Sequence, residues 1–202
     1  MEIIAVSSAI IYLLLAVRQN IFCWLAAGIS SILYFFIMYS AGLYMEAYLQ
    51  IFYLFMAFYG WSQWRTNDVL VVRTWNKKNH LIALLLITLL TLTSGYILEN
   101  YTDAALPFLD ALTTWGAIVA TYMVAKKLIE NWIYWFVIDF ISVFLFMSRD
   151  LFLTSLLFIG YLVIIFFGYR SWNKILQEKK RTIVDQQWSF LKVLSKKLNR
   201  HS

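Results

Sequence analysis

An ionisable side chain inside an apolar segment is the feature of this sequence that most suggests chemistry. Asp139 ends the run Asn131-Trp-Ile-Tyr-Trp-Phe-Val-Ile-Asp139, whose inner residues are all apolar or aromatic. On a helix, residues four positions apart share a face, so Asn131, Trp135 and Asp139 would lie on one side. Ser142 would extend that side. An isolated charged acid at the bilayer centre costs at least about 2.5–3.5 kcal/mol and usually has a function, so this face predicts the polar wall of a ligand pocket.

Such a pocket suits a flat, cationic or polar heterocycle. Aromatic rings stack on one another, a cation over Trp or Tyr gains about 0.5–2 kcal/mol, and amides pair with carboxamide or hydroxyl groups. No Lys or Arg lies at the depth of Asp139 in the apolar runs, so its partners would be polar side chains or a cationic ligand. Sugars bind to amides and aromatic platforms, and a nucleoside needs both kinds of contact.

The composition excludes a water-soluble domain. Of the 202 residues, 62% are hydrophobic and only 14% are charged, and the mean hydropathy is +0.69. Most of the apolar runs approach the roughly 20 residues that a helix needs to cross a bilayer, and they are Ile3–Val17, Ile21–Tyr39, Tyr44–Trp64, Leu81–Leu98, Leu106–Ala125, Trp132–Met147 and Leu151–Tyr169. The sequence therefore predicts an all-α integral membrane protein with seven transmembrane helices.

The distribution of charge predicts the orientation. Lys and Arg follow the first, third, fifth and seventh runs, whereas Glu99 and Asp103 follow the fourth. Because cationic loops stay in the cytoplasm, we expect the N-terminus outside and the C-terminus inside. The formal charge of +6 resides in residues 173–202, so it indicates a basic tail and no nucleic acid partner.

The tail is amphipathic from Ile183 to Leu198. Its apolar side carries Ile183, Val184, Trp188, Leu191, Leu194 and Leu198, and its other side carries Lys192, Lys196 and Lys197. A C-terminal amphipathic helix resting on anionic lipid headgroups fits this pattern. A solvated basic tail that only fixes the orientation fits it equally well.

The sequence contains an internal repeat. Asn20-Ile-Phe-Cys-Trp24 matches the segment from Asn131 to Trp135 at an offset of 111 residues, and four more positions match at an offset of 108, namely Leu43, Tyr53, Gly60 and Trp64 with Leu151, Tyr161, Gly168 and Trp172. A deletion of three residues would reconcile the two offsets and would set Gly28 in the place of Asp139.

This repeat predicts a 3-1-3 arrangement with parallel three-helix repeats, as in SWEET transporters. The predicted segments are a first repeat (1–64), a cytoplasmic loop (65–80), a linker transmembrane helix (81–98), a second repeat (106–172) and a basic amphipathic cytoplasmic tail (173–202). The fourth run is almost entirely Leu, Ile and Thr, so we interpret it as a bridge between the repeats and not as a wall of the site.

Further polar and aromatic residues share faces with this predicted wall. The third run contributes Glu46, Gln50, Tyr53 and Trp61, and the fifth contributes Thr114 and Trp115. The predicted substrate-binding set is Asn131, Trp135, Asp139, Gln50, Tyr53, Thr114, Trp115, Trp61 and Glu46. Tryptophans near the ends of the runs, such as Trp24 and Trp172, more often anchor or pack.

An enzyme is not expected. His80 and His201 are the only histidines, no His-Glu-x-x-His or glycine-rich phosphate loop occurs, and Cys23 has no nearby base. We therefore expect no catalytic residues, no metal and no cofactor. A sensory or scaffolding protein, with the tail as its output arm, is a rival class.

The ordered motifs resemble PnuC, the bacterial nicotinamide riboside transporter family. They are Gly42-Leu-Tyr-Met-Glu46 through Gln50 and Tyr53, Tyr59-Gly-Trp-Ser-Gln-Trp64, Leu106-Pro-Phe-Leu-Asp-Ala-Leu-Thr-Thr114, and Lys127-Leu-Ile-Glu-Asn-Trp-Ile-Tyr-Trp135 with Asp139. The resemblance covers about Arg18 to Trp172.

The resemblance implies uptake of nicotinamide riboside, a precursor of NAD, across the bacterial inner membrane by facilitated diffusion with alternating access. It also implies a homotrimer surrounded by membrane lipids and a cytoplasmic riboside kinase as the metabolic partner. A carrier of another vitamin or of a sugar, such as thiamine, riboflavin or a hexose, is the alternative on the same fold. Proton coupling through Asp139 stays open.

Overall fold

The computed structural model describes residues 2–40, 44–66, 71–101, 106–147 and 152–198. Within these ranges the chain forms seven α-helices, which are α1 (Glu2–Val17), α2 (Phe22–Ser40), α3 (Tyr44–Thr66), α4 (Lys77–Tyr101), α5 (Pro107–Ala125), α6 (Asn131–Met147) and α7 (Phe152–Leu198). Each predicted apolar run coincides with one of them, and the all-α class is confirmed. Asp103 and the side chain of Glu46 lie outside the described part of the chain.

The helices follow from what lipid demands of a backbone. A hydrocarbon environment offers no water to N–H and C=O groups, so long apolar segments satisfy them internally as helices. The single proline, Pro107, lies in the first turn of α5, where its missing N–H has no intrahelical role. Stretches long and apolar enough to cross a membrane are Lys77–Tyr101, Pro107–Ala125 and Ser155–Trp188, and shorter apolar helices are Ile3–Val17, Phe22–Ile37 and Asn131–Leu145.

The helices pack as two groups of three. In the first half α1 packs on α2 and α2 on α3, and in the second half α5 packs on α6 and α6 on α7. The halves meet where α3 contacts α5 and where α1 contacts α7, while α4 packs on α5. The two contacts between halves are equivalent, since each joins the third helix of one half to the first helix of the other.

The same turn ends the first helix of each half. Gln19 and Lys127 both have a left-handed backbone, with φ of 53° and 51°. In the first turn, Gln19 N–H donates to Ala16 O at 3.0 Å and Asn20 N–H donates to Leu15 O at 3.0 Å. The second turn repeats both bonds, Lys127 to Val124 and Leu128 to Met123, at 3.0 and 2.9 Å. This is the Schellman pattern, and every equivalent pair is 108 positions apart.

The offset of 111 residues predicted for the Asn20 segment is therefore wrong. The equivalent of Trp24 is Trp132, because a Cβ on Gly60 would lie 2.3 Å from the indole of Trp24 and one on Gly168 would lie 2.5 Å from that of Trp132. A slip of three residues is nearly one helical turn, so matching residue types on a helix face could not detect it. The counterpart of Asp139 is consequently Ser31 and not Gly28.

The loop after α3 is tied to the turn between α5 and α6. Arg73 N–H donates to Lys127 O at 3.1 Å, and Ile129 N–H donates to Arg73 O at 3.0 Å. Trp75 N–H donates to Glu130 Oε1 at 3.0 Å. These bonds fix the loop between α3 and α4 against the start of α6, which carries the predicted polar wall.

The tail is helical through Leu198 and continues α7 without a break. At about 1.5 Å per residue, the 47 residues of α7 extend for roughly 70 Å. Ile183, Val184 and Trp188 are exposed on the part of α7 beyond the apolar run that ends at Tyr169. Contact of this segment with lipid headgroups stays a prediction.

Candidate functional site

A cavity of about 250 Å³ lies between the two halves. Its walls come from α1, α2, α3, α5, α6 and α7, and none of its described lining residues belongs to α4. The lining residues are Ala9, Tyr12, Leu13, Ala16, Trp24, Ala27, Ser30, Ser31, Tyr34, Gln50, Tyr53, Thr121, Val124, Asn131, Trp132, Trp135, Asp139, Phe158, Tyr161 and Ile165. Most are apolar or aromatic, as in sites for small organic ligands.

The face of α6 singled out by its spacing lines this cavity. Asn131, Trp135 and Asp139 all contribute to the wall, and Asn131 is completely buried. The amide of Asn131 is oriented because its Nδ2 donates to Leu128 O. Its Oδ1 is buried and has no hydrogen-bond partner among the described residues. An unpaired buried carbonyl costs about 1–3 kcal/mol, which favours a ligand that donates there.

Two equivalent tyrosines lie near the buried acid. Tyr53 of α3 and Tyr161 of α7 both line the cavity, and each interacts electrostatically with Asp139. No Lys or Arg forms an ion pair with Asp139 within the described ranges. The neighbours of the Asp139 carboxyl group named here are thus two phenols, which favours a cationic or hydrogen-bond-donating ligand in the cavity.

The two halves contribute different chemistry at equivalent positions. Where the second half has Trp135, the first has Ala27, so one flat ring is opposed by a small side chain. Phe158 of the second half corresponds to an amide, Gln50, in the first. All four residues line the cavity. The cavity can therefore distinguish the two ends of an asymmetric ligand, with the aromatic platform on one side and an amide on the other.

Four tryptophans form a packed cluster at the end of the cavity next to the two Schellman turns. We call Trp24, Trp64, Trp132 and Trp172 the tryptophan cluster. Ring centroids are 5.5 Å apart within each half, in edge-on geometry, and Trp64 lies 6.3 Å from Trp172 across the halves. Trp24 and Trp132 also line the cavity. The cluster thus packs between the cavity-lining residues and the C-terminal ends of α1 and α5, where Trp172 and Trp64 form hydrogen bonds.

Hydrogen bonds of this cluster cross between the halves. Trp64 Nε1 donates to Ala125 O at 3.1 Å, and Trp172 Nε1 donates to Ala16 O at 3.0 Å. Lys127 Nζ lies 4.5 Å from the centroid of the Trp64 ring, a cation–π contact. Each half is therefore attached to the other by one indole at this end of the cavity.

Four of the predicted site residues are placed elsewhere or lie outside the description. Trp115 Nε1 donates to Ser94 Oγ at 3.0 Å and links α5 to α4. Trp61 packs edge-on against Phe22 with centroids 5.9 Å apart. Thr114 is half-buried and does not line the cavity, and Glu46 belongs to α3, although its side chain is not described. Asn131, Trp135, Asp139, Gln50 and Tyr53 are brought together.

Sequence reasoning missed the contribution of α1 and α2. Tyr12, Ser31 and Tyr34 line the cavity, yet they lie in runs that look uniformly apolar. A signal was present, because Ala27, Ser31 and Tyr34 repeat the spacing of Trp135, Asp139 and Ser142 in the second half. Recognising it required the offset of 108.

An asymmetric cavity between two groups of apolar helices is typical of a membrane transporter for a small molecule. The sequence model of the nicotinamide mononucleotide transporter family matches residues 1–174. The chain belongs to this family, which includes PnuC. It is a multi-pass integral membrane protein that functions as a transporter and not as an enzyme.

Known relatives are vitamin transporters. The chain is 26% identical over 172 residues to the riboflavin/roseoflavin transporter RibM of Streptomyces davaonensis, covering 81% of this chain and 79% of that protein. It is 33% identical over 75 residues to the nicotinamide riboside transporter PnuC of Escherichia coli, covering 37% of this chain and 31% of that protein. The fold matches the crystal structure of a vitamin B3 transporter PnuC with a TM-score of 0.72 at 23% identity, over 87% of this chain and 81% of that one.

Proposed function

We propose that this protein takes up nicotinamide riboside. The observation that carries the proposal is the size and lining of the cavity: about 250 Å³ lies below the roughly 300–1,000 Å³ of typical drug-sized pockets. A single heterocycle with one sugar suits this volume better than a tricyclic ring with a long chain does. The one acid and the aromatic rings match a positively charged pyridinium.

The ligand would use both sides of the asymmetric cavity. Trp135 stacks on the pyridinium in the space left by Ala27, and the negative charge of Asp139 favours the cationic ring or accepts from ribose hydroxyls. The free Oδ1 of Asn131 accepts from the carboxamide or from a hydroxyl, and Gln50 pairs at the opposite end. The other predicted contacts, Thr114, Trp115, Trp61 and Glu46, would act outside the cavity, for example along an entry path.

The mechanism is alternating access by two parallel three-helix repeats in a 3-1-3 arrangement with α4 as the linker. The halves rock about the cavity, and the tryptophan cluster separates when the site opens toward the cytoplasm. Transport is facilitated diffusion, and a cytoplasmic riboside kinase makes uptake effectively irreversible. The chain works in the bacterial inner membrane, N-terminus outside and C-terminus inside, as a homotrimer whose exposed apolar residues contact lipid.

Calorimetric titration of the purified protein tests the substrate. Nicotinamide riboside should bind saturably, whereas thiamine and hexoses should not. The variant Asp139→Asn should weaken riboside binding at least about tenfold, because hydrogen bonds to charged groups contribute about 1.5–3 kcal/mol. Glu99→Gln, at an exposed position on α4, is the matched control. Unchanged affinity in Asp139→Asn would remove the acid from the site.

Proteoliposomes test the mechanism. Without kinase, internal riboside should rise to the external concentration and stop there, and uphill accumulation would contradict facilitated diffusion. A labelling scan with single cysteines should find residue 100 accessible from outside only. Light scattering of the detergent-solubilised protein measures whether it is a trimer.

A flavin carrier is the second candidate. It is favoured by the similarity to RibM, which extends over most of both chains. Riboflavin binding tighter than riboside binding in the same titrations would support it and would overturn the riboside assignment.

A further inference from the structure

The central cavity adjoins a second space on the membrane side of the first half. A crevice of about 240 Å³ lies between α2 and α3. Apart from Ser31 and Gln50, its lining is apolar and consists of Ile32, Phe35, Phe36, Ile51 and Leu54. Ile32 and Phe36 are exposed, so this crevice opens toward the hydrocarbon region of the bilayer.

Ser31 and Gln50 stand between the two spaces. They are the residues that line both the central cavity and the crevice. These two polar side chains are therefore common to the wall of the central cavity and to the otherwise apolar wall of the crevice. At the equivalent positions the second half has Asp139 and Phe158, whose side chains are bulkier.

We propose that Ser31 and Gln50 form a partition that sets the upper size of the ligand. This inference rests on the proposed riboside site. With the partition in place, the ligand is confined to one heterocycle and its sugar in the central cavity. Without it, the two spaces join and admit a planar polycyclic ligand of the flavin type. Its hydroxylated chain then stays among the polar groups, while its methylated ring end lies against the phenylalanines of the crevice.

Shape and polarity both support this assignment. The crevice shares Ser31 and Gln50 with the central cavity, and its other walls are flexible or flat apolar side chains. A Gln side chain presents an amide that is poorly matched to an aromatic hydrocarbon ring, because burying an unpaired amide is unfavourable. Gln50 thus excludes the larger ligand both by its volume and by its polarity.

The experiment compares Gln50→Ala with Gln50→Met in purified protein. Alanine removes the partition, whereas methionine keeps its length. Quenching of riboflavin fluorescence reports flavin binding, and calorimetry reports riboside binding. We expect Gln50→Ala to bind riboflavin at least about tenfold more tightly than the unmodified protein, in the range that pocket size typically controls. Gln50→Met should bind riboflavin much less tightly than Gln50→Ala.

Filling the crevice supplies the second test. Leu54 lines the crevice but not the central cavity, so Leu54→Trp alone should leave riboside binding unchanged. In the Gln50→Ala background it should abolish the gain in riboflavin affinity. A gain that survives Leu54→Trp would overturn the use of the crevice. A gain seen in detergent and lost in lipid nanodiscs would mean that an acyl chain fills the crevice, and it would overturn the proposal too.

The two proposals fail in different ways. An unmodified protein that binds no riboside contradicts the proposed function. An unmodified protein that binds riboside, together with a Gln50→Ala variant that gains no riboflavin affinity, overturns the partition alone.

Discussion

Gly168→Ala should destabilise the protein and weaken ligand binding, although the same change at Gly160 should not. Both glycines lie in α7. A Cβ at Gly168 would stand 2.5 Å from two ring atoms of Trp132, whereas a Cβ at Gly160 has nothing within 4 Å. Ordinary contact would require Trp132 to move by about 1 Å, and overpacking of this kind typically costs about 1–3 kcal/mol. Both variants share the gain of about 0.5–1 kcal/mol from replacing a helical glycine, so their difference isolates the clash.

The assay is thermal unfolding of both variants in the same detergent. For a chain of about this size, 1–3 kcal/mol corresponds to a difference in Tm of about 2–12 °C, with Gly168→Ala the lower. Because Trp132 lines the cavity, calorimetry should also show weaker riboside binding in Gly168→Ala only. Equal Tm values and equal affinities would refute the idea that close seating of Trp132 on α7 shapes the cavity.

Three further perturbations test the contacts between the halves. Trp64→Phe should lower the free energy of unfolding by about 1–3 kcal/mol beyond the effect of the lost indole area, since Trp64 is the donor to Ala125 O and no second donor is present in the described ranges. Chemical denaturation should show a smaller loss for Trp172→Phe, because Ala16 O also accepts from Gln19 N–H. Burial lowers the pKa of Lys127 from its ordinary value of 10.5, so between these two pKa values the unfolded chain binds more protons than the folded chain. The free energy of unfolding should therefore rise with pH in this range. Chemical denaturation between pH 8 and 11 should show this rise in the unmodified protein relative to Lys127→Met. Glu130→Ala should release the loop after α3 and raise tryptic cleavage within residues 73–78. Glu130→Gln keeps an acceptor for Trp75 N–H and should not raise it. Equal cleavage in both variants would contradict the role of this hydrogen bond in holding the loop.

The helices could be predicted from the sequence because lipid leaves long apolar segments little alternative to helix. The wall formed by Asn131, Trp135 and Asp139 could be predicted for a related reason, since polar residues on one face of such a segment have few structural uses. What each residue faces could not be predicted. Side-chain matches in the sequence fit offsets of both 108 and 111 residues, and the backbone turns at Gln19 and Lys127 decide between them.

The same limit explains the misplaced candidates. Trp115 follows Thr114 in the sequence and was therefore predicted to contact the ligand, yet its indole N–H donates to Ser94 on α4. Conversely, Ser31 and Tyr12 carry only small or phenolic hydroxyls in apolar helices, and a hydroxyl can bond its own helix. Only the packing of α1 and α2 around the cavity distinguishes these residues from other residues of transmembrane helices.

The tryptophan cluster has an optical consequence. Indoles held 5.5–6.3 Å apart at fixed angles couple their excited states, which produces a characteristic signal in near-ultraviolet circular dichroism. If the halves rock as proposed, separation of Trp64 from Trp172 would weaken that signal in proportion to the population of the open state. The chain therefore contains an intrinsic chromophore pair that reports the relative position of its halves without any added label.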